Sequence, residues 1–211
     1  MSLAGFFWRH QGEILRSMAE HTWLVGVTIL LAAAIGVPLG VLVARRPWLS
    51  KPILGSANIA ETIPSLALFG FLLPAPWLGD RADRLAITAL TLYALLPIIR
   101  NTAAGINGVD PGVREAARGM GMTERQILWQ VELPLSLSTV LAGVRVATVL
   151  TVGIATIAAA VGAGGLGEFI FRGLAMVNNQ LILAGAIPAA VLALAADFVL
   201  GVFERRLRPA R

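Results

Sequence analysis

The run Thr22–Ala44, TWLVGVTILLAAAIGVPLGVLVA, decides the fold: it holds no charged residue and stops at Arg45-Arg46. At about 1.5 Å per residue a helix of this length reaches about 34 Å, enough to cross a hydrocarbon core of about 30 Å. It outlasts the roughly 7 to 15 apolar residues of a cleaved signal peptide, so a spanning helix is expected. Composition agrees with that reading. Of 211 residues 57% are hydrophobic and 14% charged, where soluble domains carry about 25% charged residues. The absence of cysteine excludes disulfides, thiolate metal sites and cysteine nucleophiles.

Working outward, the segment before this run places Phe6, Phe7 and Trp8 beside Arg9, Glu13, Arg16 and Glu20. That mixture is too charged to span and reads as an interfacial helix over 1–21. Further apolar runs at 53–73, 85–99, 136–162 and 181–203 bring the expected spans to five, an all-α polytopic bundle with a basic tail at 204–211. The third run reaches only about 22 Å and needs Arg84 and Arg100 to snorkel outward. The fourth is longer than one crossing requires, so Gly162-Ala163-Gly164-Gly165 is expected to break it, with 166–175 a short surface or re-entrant helix.

The basic residues orient the chain. Arg45, Arg46, Lys51, Arg100, Arg114, Arg118, Arg125, Arg205, Arg206, Arg208 and Arg211 share one side, and Arg9, Arg16, Arg81, Arg84 and Arg172 the other, with Arg145 inside a span. An external N-terminus and a cytoplasmic C-terminus follow, as five spans require. The net charge of +5 is therefore a matter of topology, not of nucleic-acid binding. Lys51, the sole lysine, lies in Ser50-Lys51-Pro52, so this chain contains no phosphate-cradling Gly-Lys-Ser/Thr loop. If ATP drives transport, another polypeptide hydrolyses it. His10 and His21 are too far apart for a helical zinc pair and are expected at the surface or interface.

The polar segment 100–135 is too long for a simple connection and is expected to be structured. Asp110-Pro111 supplies an N-cap and an N1 proline, and Val113, Ala116, Ala117 and Met120 recur at helical spacing. Gly121 suits a left-handed helix end, and Thr123 with Gln126 forms a capping box for a second helix ending at Leu133-Pro134. The small surface of Ala116, Ala117 and Gly119 would admit another protein's backbone. A hairpin that only packs beneath its own bundle is equally consistent with the physics.

Glu115-Ala116-Ala117, then Gly121, Val131 and Leu133-Pro134, resembles the cytoplasmic signature of binding-protein-dependent ABC importer permeases. That signature reads glutamate-alanine-alanine, three variable residues, glycine, nine variable, an aliphatic, one variable, leucine-proline. Valine in place of the commoner isoleucine is the only departure. The stretches Glu61–Gly70, Tyr93–Thr102, Gly162–Gly167 and Ile182–Pro188 are similar to permeases of osmoprotectant importers, which handle glycine betaine, choline and carnitine.

The resemblance implies a type I ABC importer permease fold in a bacterial inner membrane. It also implies a second permease subunit (the same chain or a paralogue), two cytoplasmic ATP-binding subunits that hold ATP and Mg, and an extracytoplasmic solute-binding protein. Glu115, Ala116, Ala117, Gly119, Met120 and Gly121 would then form the ATPase-coupling element. Because the chain ends shortly after its last span, the receptor is expected to be a separate protein.

Other residues invite chemistry that the context does not support. Gly162, Gly164 and Gly167 match a dinucleotide fingerprint, but no βαβ unit surrounds them, and no cofactor is expected in this chain. Glu61, Arg145 and Asp197 fall within spans, where an ionised group needs a partner or a wet cavity. Pro64 frees backbone that Thr62 and Ser65 can satisfy, so Glu61, Thr62, Pro64 and Ser65, with Tyr93, are candidates for a translocation path or gate. Alternatively, Glu61 pairs with Arg145 or caps the kink, while Arg145 and Asp197 serve as anchors or bundle pairs. Trp23, Phe69, Phe71, Trp77, Tyr93, Phe198 and Phe203 form no recognisable cage for a quaternary ammonium, which leaves selection to the receptor.

The nearest rival is a permease for a methionine-like amino acid or a phosphonate. An ATPase-independent channel or secondary transporter is opposed by the lack of detectable inverted repeats and the scarcity of intramembrane acids. An intramembrane enzyme is opposed by the absence of histidine from the spans.

Overall fold

The computed structural model describes residues 3–75, 78 and 81–207. Trp77, Arg208 and Arg211, with the ends of the expected 1–21 and 204–211 segments, lie outside the described residues. Those described form helices and no strand: α1 (Leu3–Arg9), α2 (Gln11–Arg45), α3 (Pro47–Thr62), α4 (Ser65–Leu72), α5 (Ala82–Asn107), α6 (Pro111–Gly119), α7 (Glu124–Ile127), α8 (Leu133–Ala158), α9 (Gly167–Ala175) and α10 (Asn179–Arg206). Four helical stretches are long and apolar enough to cross a membrane, at 11–45, 82–107, 124–161 and 179–206.

The boundaries expected from apolar runs need correction. No helix ends at residue 21: α2 begins at Gln11 and continues through the first apolar run. The expected span at 53–73 is two helices, α3 and α4, parted at Ile63, whose extended backbone precedes Pro64 as a pre-proline residue favours. The short third run belongs to the 26-residue α5. At one end of that run Arg100 donates to Asn58 of α3 at 3.1 Å. The second helix of the polar segment does not stop at Leu133-Pro134. It passes through a π-turn at Leu128–Glu132, in which the Leu133 N–H reaches back to Leu128, and continues as α8 with Pro134 in its first turn.

At the centre lies α5, packed against α2 on one side and α8 on the other, while α8 carries α10, which carries α9. Leu24, Leu85, Leu90, Phe69 and Val152 form the main buried cluster. The helices come close because glycine occupies the crossings. A Cβ on Gly40 would lie 2.5 Å from Thr102 Cβ, and one on Gly143 would lie 2.5 Å from Asn101 Cβ and 2.9 Å from the Pro97 carbonyl. Small residues at such crossings are how apolar helices gain dispersion contacts where lipid removes the hydrophobic drive.

At one end of the bundle α1 folds back so that Phe6 joins Ile14, Phe169 and Leu181. At the same end the chain leaves α8 through a 3₁₀ turn (Ala159–Val161) and the glycine run, and α9 follows as expected.

Gly143→Ala should destabilise by about 1 to 3 kcal/mol, as overpacking does. The melting temperature of the purified protein should fall by roughly 2 to 4 °C per kcal/mol. Gly26→Ala, which meets nothing within 4 Å, should not lower it, since alanine is favoured over glycine inside a helix; equal melting of the two variants would refute this account of the crossing.

Candidate functional site

The 108–132 segment folds as its residues direct. The Asp110 side chain caps α6 by accepting from the Gly112 N–H at 2.7 Å. Gly121, at φ +81°, closes the helix in a left-handed turn. The Gly121 N–H reaches the Arg118 carbonyl and the Met122 N–H reaches the Ala117 carbonyl, a Schellman closure that leaves few carbonyls unpaired. Thr123 and Gln126 form the reciprocal capping box of α7.

Of the stripe Val113, Ala116, Ala117 and Met120, only Ala117 is buried, and Met120 is 75% exposed. Glu115, Ala116, Gly119, Met120 and Gly121 thus lie on open surface. Within this chain the apolar side of α6 is largely uncovered.

Beneath α6 lies an ion cluster that sequence spacing did not announce. Arg45, at the end of α2, donates to Glu124 and to Glu132, each at 2.6 Å. Arg114 of α6 lies 3.0 Å from the other Glu132 oxygen, and Arg118 bonds Glu124 at 2.9 Å. Glu132 is buried. The only advance signals were a lone carboxylate directly before Leu133-Pro134 and the placement of Arg45, Arg114 and Arg118 on one side of the membrane. The hydrogen bond from Arg118, then that from Arg45, holds the Glu124 carboxyl below its ordinary range.

The second candidate set gathers around the α3–α4 break. Glu61, Thr62, Ile63, Pro64 and Ser65 face Tyr93, Leu150 and Ile154 across a cavity of about 330 Å³. The structure thus brings together all five residues expected at a path or gate. At the break the Tyr93 hydroxyl donates to the Ile63 carbonyl, and the Thr62 hydroxyl turns back to the Ile59 carbonyl. Glu61 is exposed and does not pair with Arg145. Arg145 instead grips Asp197 with two bonds, at 2.6 and 2.8 Å, and Glu204 with one at 3.1 Å, which fastens α8 to α10.

His21 also departs from expectation. It is wholly buried in α2, and its Nε2–H donates to the Val152 carbonyl at 3.1 Å. A lone histidine appeared peripheral because its partner lies far away in sequence. His10 stays partly exposed and stacks on Phe6 at 4.2 Å. Among the described residues no group of three histidine, cysteine or acidic side chains could hold a metal ion.

Residues 36–209 match the family described as binding-protein-dependent transport system inner membrane component. Carnitine transport permease protein OpuCB of Listeria monocytogenes is 41% identical over 208 residues, covering 99% of this chain and 94% of the relative. Osmoprotectant import permease protein OsmW of Salmonella typhimurium is 44% identical over 192 residues, 90% of this chain and 89% of the relative. Choline transport system permease protein OpuBB of Bacillus subtilis is 40% identical over 205 residues, 97% and 93% respectively.

Among solved structures, an inward-facing MetNI methionine ABC transporter superposes with a TM-score of 0.86 at 24% identity, covering 95% of this chain and 99% of that one. An amino acid ABC transporter gives 0.73 at 22% identity, covering 98% and 99%. At these identities the likeness concerns fold, which is that of type I ABC importer permeases.

Tyr93→Phe strips the Ile63 carbonyl of its donor and should cost about 1 to 3 kcal/mol, seen as a lower melting temperature. Glu124→Gln tests the exposed side of the ion cluster through pH. A depressed carboxylate stabilises above its unfolded pKa of about 4.3, so the gap to wild type should be full at neutral pH and close as pH falls below that value. A gap that widens in acid would contradict the ion pairs.

Proposed function

The chain belongs to the family of binding-protein-dependent transport system inner membrane components, and on that premise we propose that it passes a small osmoprotectant such as glycine betaine, choline or carnitine into the cell. The observation that carries the substrate class is identity of about 40% along nearly the whole chain with permeases named for carnitine and choline. The domain that does this comprises 22–203, with 100–135 as its cytoplasmic coupling loop and 204–211 as a basic cytoplasmic tail. The N-terminus lies outside, as the distribution of arginines favours.

In this reading Glu115, Ala116, Ala117, Gly119, Met120 and Gly121 contact one of two partner ATPases, which hold ATP and Mg and perform the hydrolysis. The exposed small-residue face of α6 supports that role. A second permease, a copy or a paralogue, completes the core, and a separate receptor delivers the solute. Glu61, Thr62, Pro64, Ser65 and Tyr93 border the path at the break between α3 and α4. Loaded receptor and ATP would each prefer one packing of the bundle, and their cycle would shift the population between packings.

The assembled transporter in proteoliposomes, given loaded receptor and ATP, should take up labelled carnitine, choline or betaine. Gly121→Val forces a β-branched residue into a left-handed turn and should reduce uptake by roughly tenfold or more. ATP-independent uptake by this chain alone, or full uptake by Gly121→Val, would defeat the reading.

A further inference from the structure

Glu132 has a side chain only 5% exposed, and four elements converge on it. Arg45 brings the C-terminal end of α2, and Arg114 brings α6. Arg114 also donates to the Ile106 carbonyl in the last turn of α5. Glu132 itself ends the π-turn that founds α8. One carboxylate therefore ties the ends of two long helices and the foot of a third to the short exposed helix. Single π-turns within α-helices occur frequently at functional sites.

Such a joint is stiff. Removing one member leaves a buried charge uncompensated, so intermediate, half-broken arrangements are disfavoured. Exposed pairs such as Arg118 with Glu124, both more than half exposed, yield readily by comparison.

We propose that Glu132 is a positioning residue for transport: it transmits displacement of α6 to α2, α5 and α8 together. This rests on the reading of α6 as the ATPase contact. Glu132 is buried while Ala116 and Met120 are exposed, so it acts through Arg114 and not by touching the partner. Without its charge, α6 would still present its surface to the ATPase, but its motion would no longer carry the ends of α2 and α5.

The test uses the complete transporter in proteoliposomes, with three readouts: retention of ATPase subunits on purification, ATP hydrolysis stimulated by loaded receptor, and solute moved per ATP. Glu132→Gln keeps the shape and removes the charge. It should retain the ATPase subunits and most of the hydrolysis while solute moved per ATP falls roughly tenfold or more, within the range of ordinary coupling free energies. Glu132→Asp should recover part of the loss.

Wild-type stoichiometry in Glu132→Gln overturns the proposal, and so does loss of the ATPase subunits, which would mark a purely structural role. If Glu132→Gln does not accumulate, Arg114→Gln decides: uncoupling supports the joint and normal coupling overturns it. Failure of the underlying reading looks different, because wild type itself would then show no ATP-driven uptake.

Discussion

A chain inside hydrocarbon must satisfy its own backbone, because no water is present to do so. Long helices meet that requirement by themselves, and the architecture turns on the places where they do not. At Ile63 the helix stops and the Tyr93 hydroxyl from α5 covers the carbonyl. Near the glycine run, Glu20 of α2 lies 3.4 Å from the Gly165 N–H, and His21 donates to a carbonyl within α8. The breaks at Ile63 and at the glycine run are thus each met by a side chain from a different helix, and His21 adds a tie between α2 and the continuous α8.

The two ends of the bundle are fastened by different means. Around α6 the fasteners are ionic, with Arg45, Arg114 and Arg118 sharing Glu124 and Glu132. At the end bearing α9 they are apolar packing of Phe6, Ile14 and Phe169 together with turns that only glycine adopts easily, Gly162, Gly164 and Gly165 all having positive φ. Strong, directional contacts thus collect beneath α6, at the end opposite the glycine turns.

Much of this was legible in the residues because it is local. The apolar runs located the long helices. Asp110, Gly121 and the Thr123–Gln126 pair act within a few positions of themselves, so α6 and its closure could be read directly. What spacing could not supply is the partner distant in sequence. His21 meets Val152 and Glu132 meets Arg45 and Arg114, while Arg145, expected either to pair with Glu61 or to serve with Asp197 as a bundle pair, takes the second course. Nothing in spacing connects those pairs. Helix lengths were underestimated for a related reason: a charge at the end of an apolar run, such as Arg100, looks like a boundary until the side chain that receives it is known. Pro134 misled because a π-turn lets the helix enter proline without ending.

The glycine crossings of α2 on α5 and of α5 on α8 also restrict what the molecule can do. Backbones that touch at Gly40 and Gly143 cannot slide without lifting apart, so those three helices share one set of rigid-body coordinates. α10 is tied to that block through Arg145 with Asp197 and Glu204, whereas α3 and α4 are parted from each other at Ile63. A change of shape that keeps the contacts at Gly40 and Gly143 therefore carries α2, α5 and α8 as one block, and the break at Ile63 is where the chain can bend beside it.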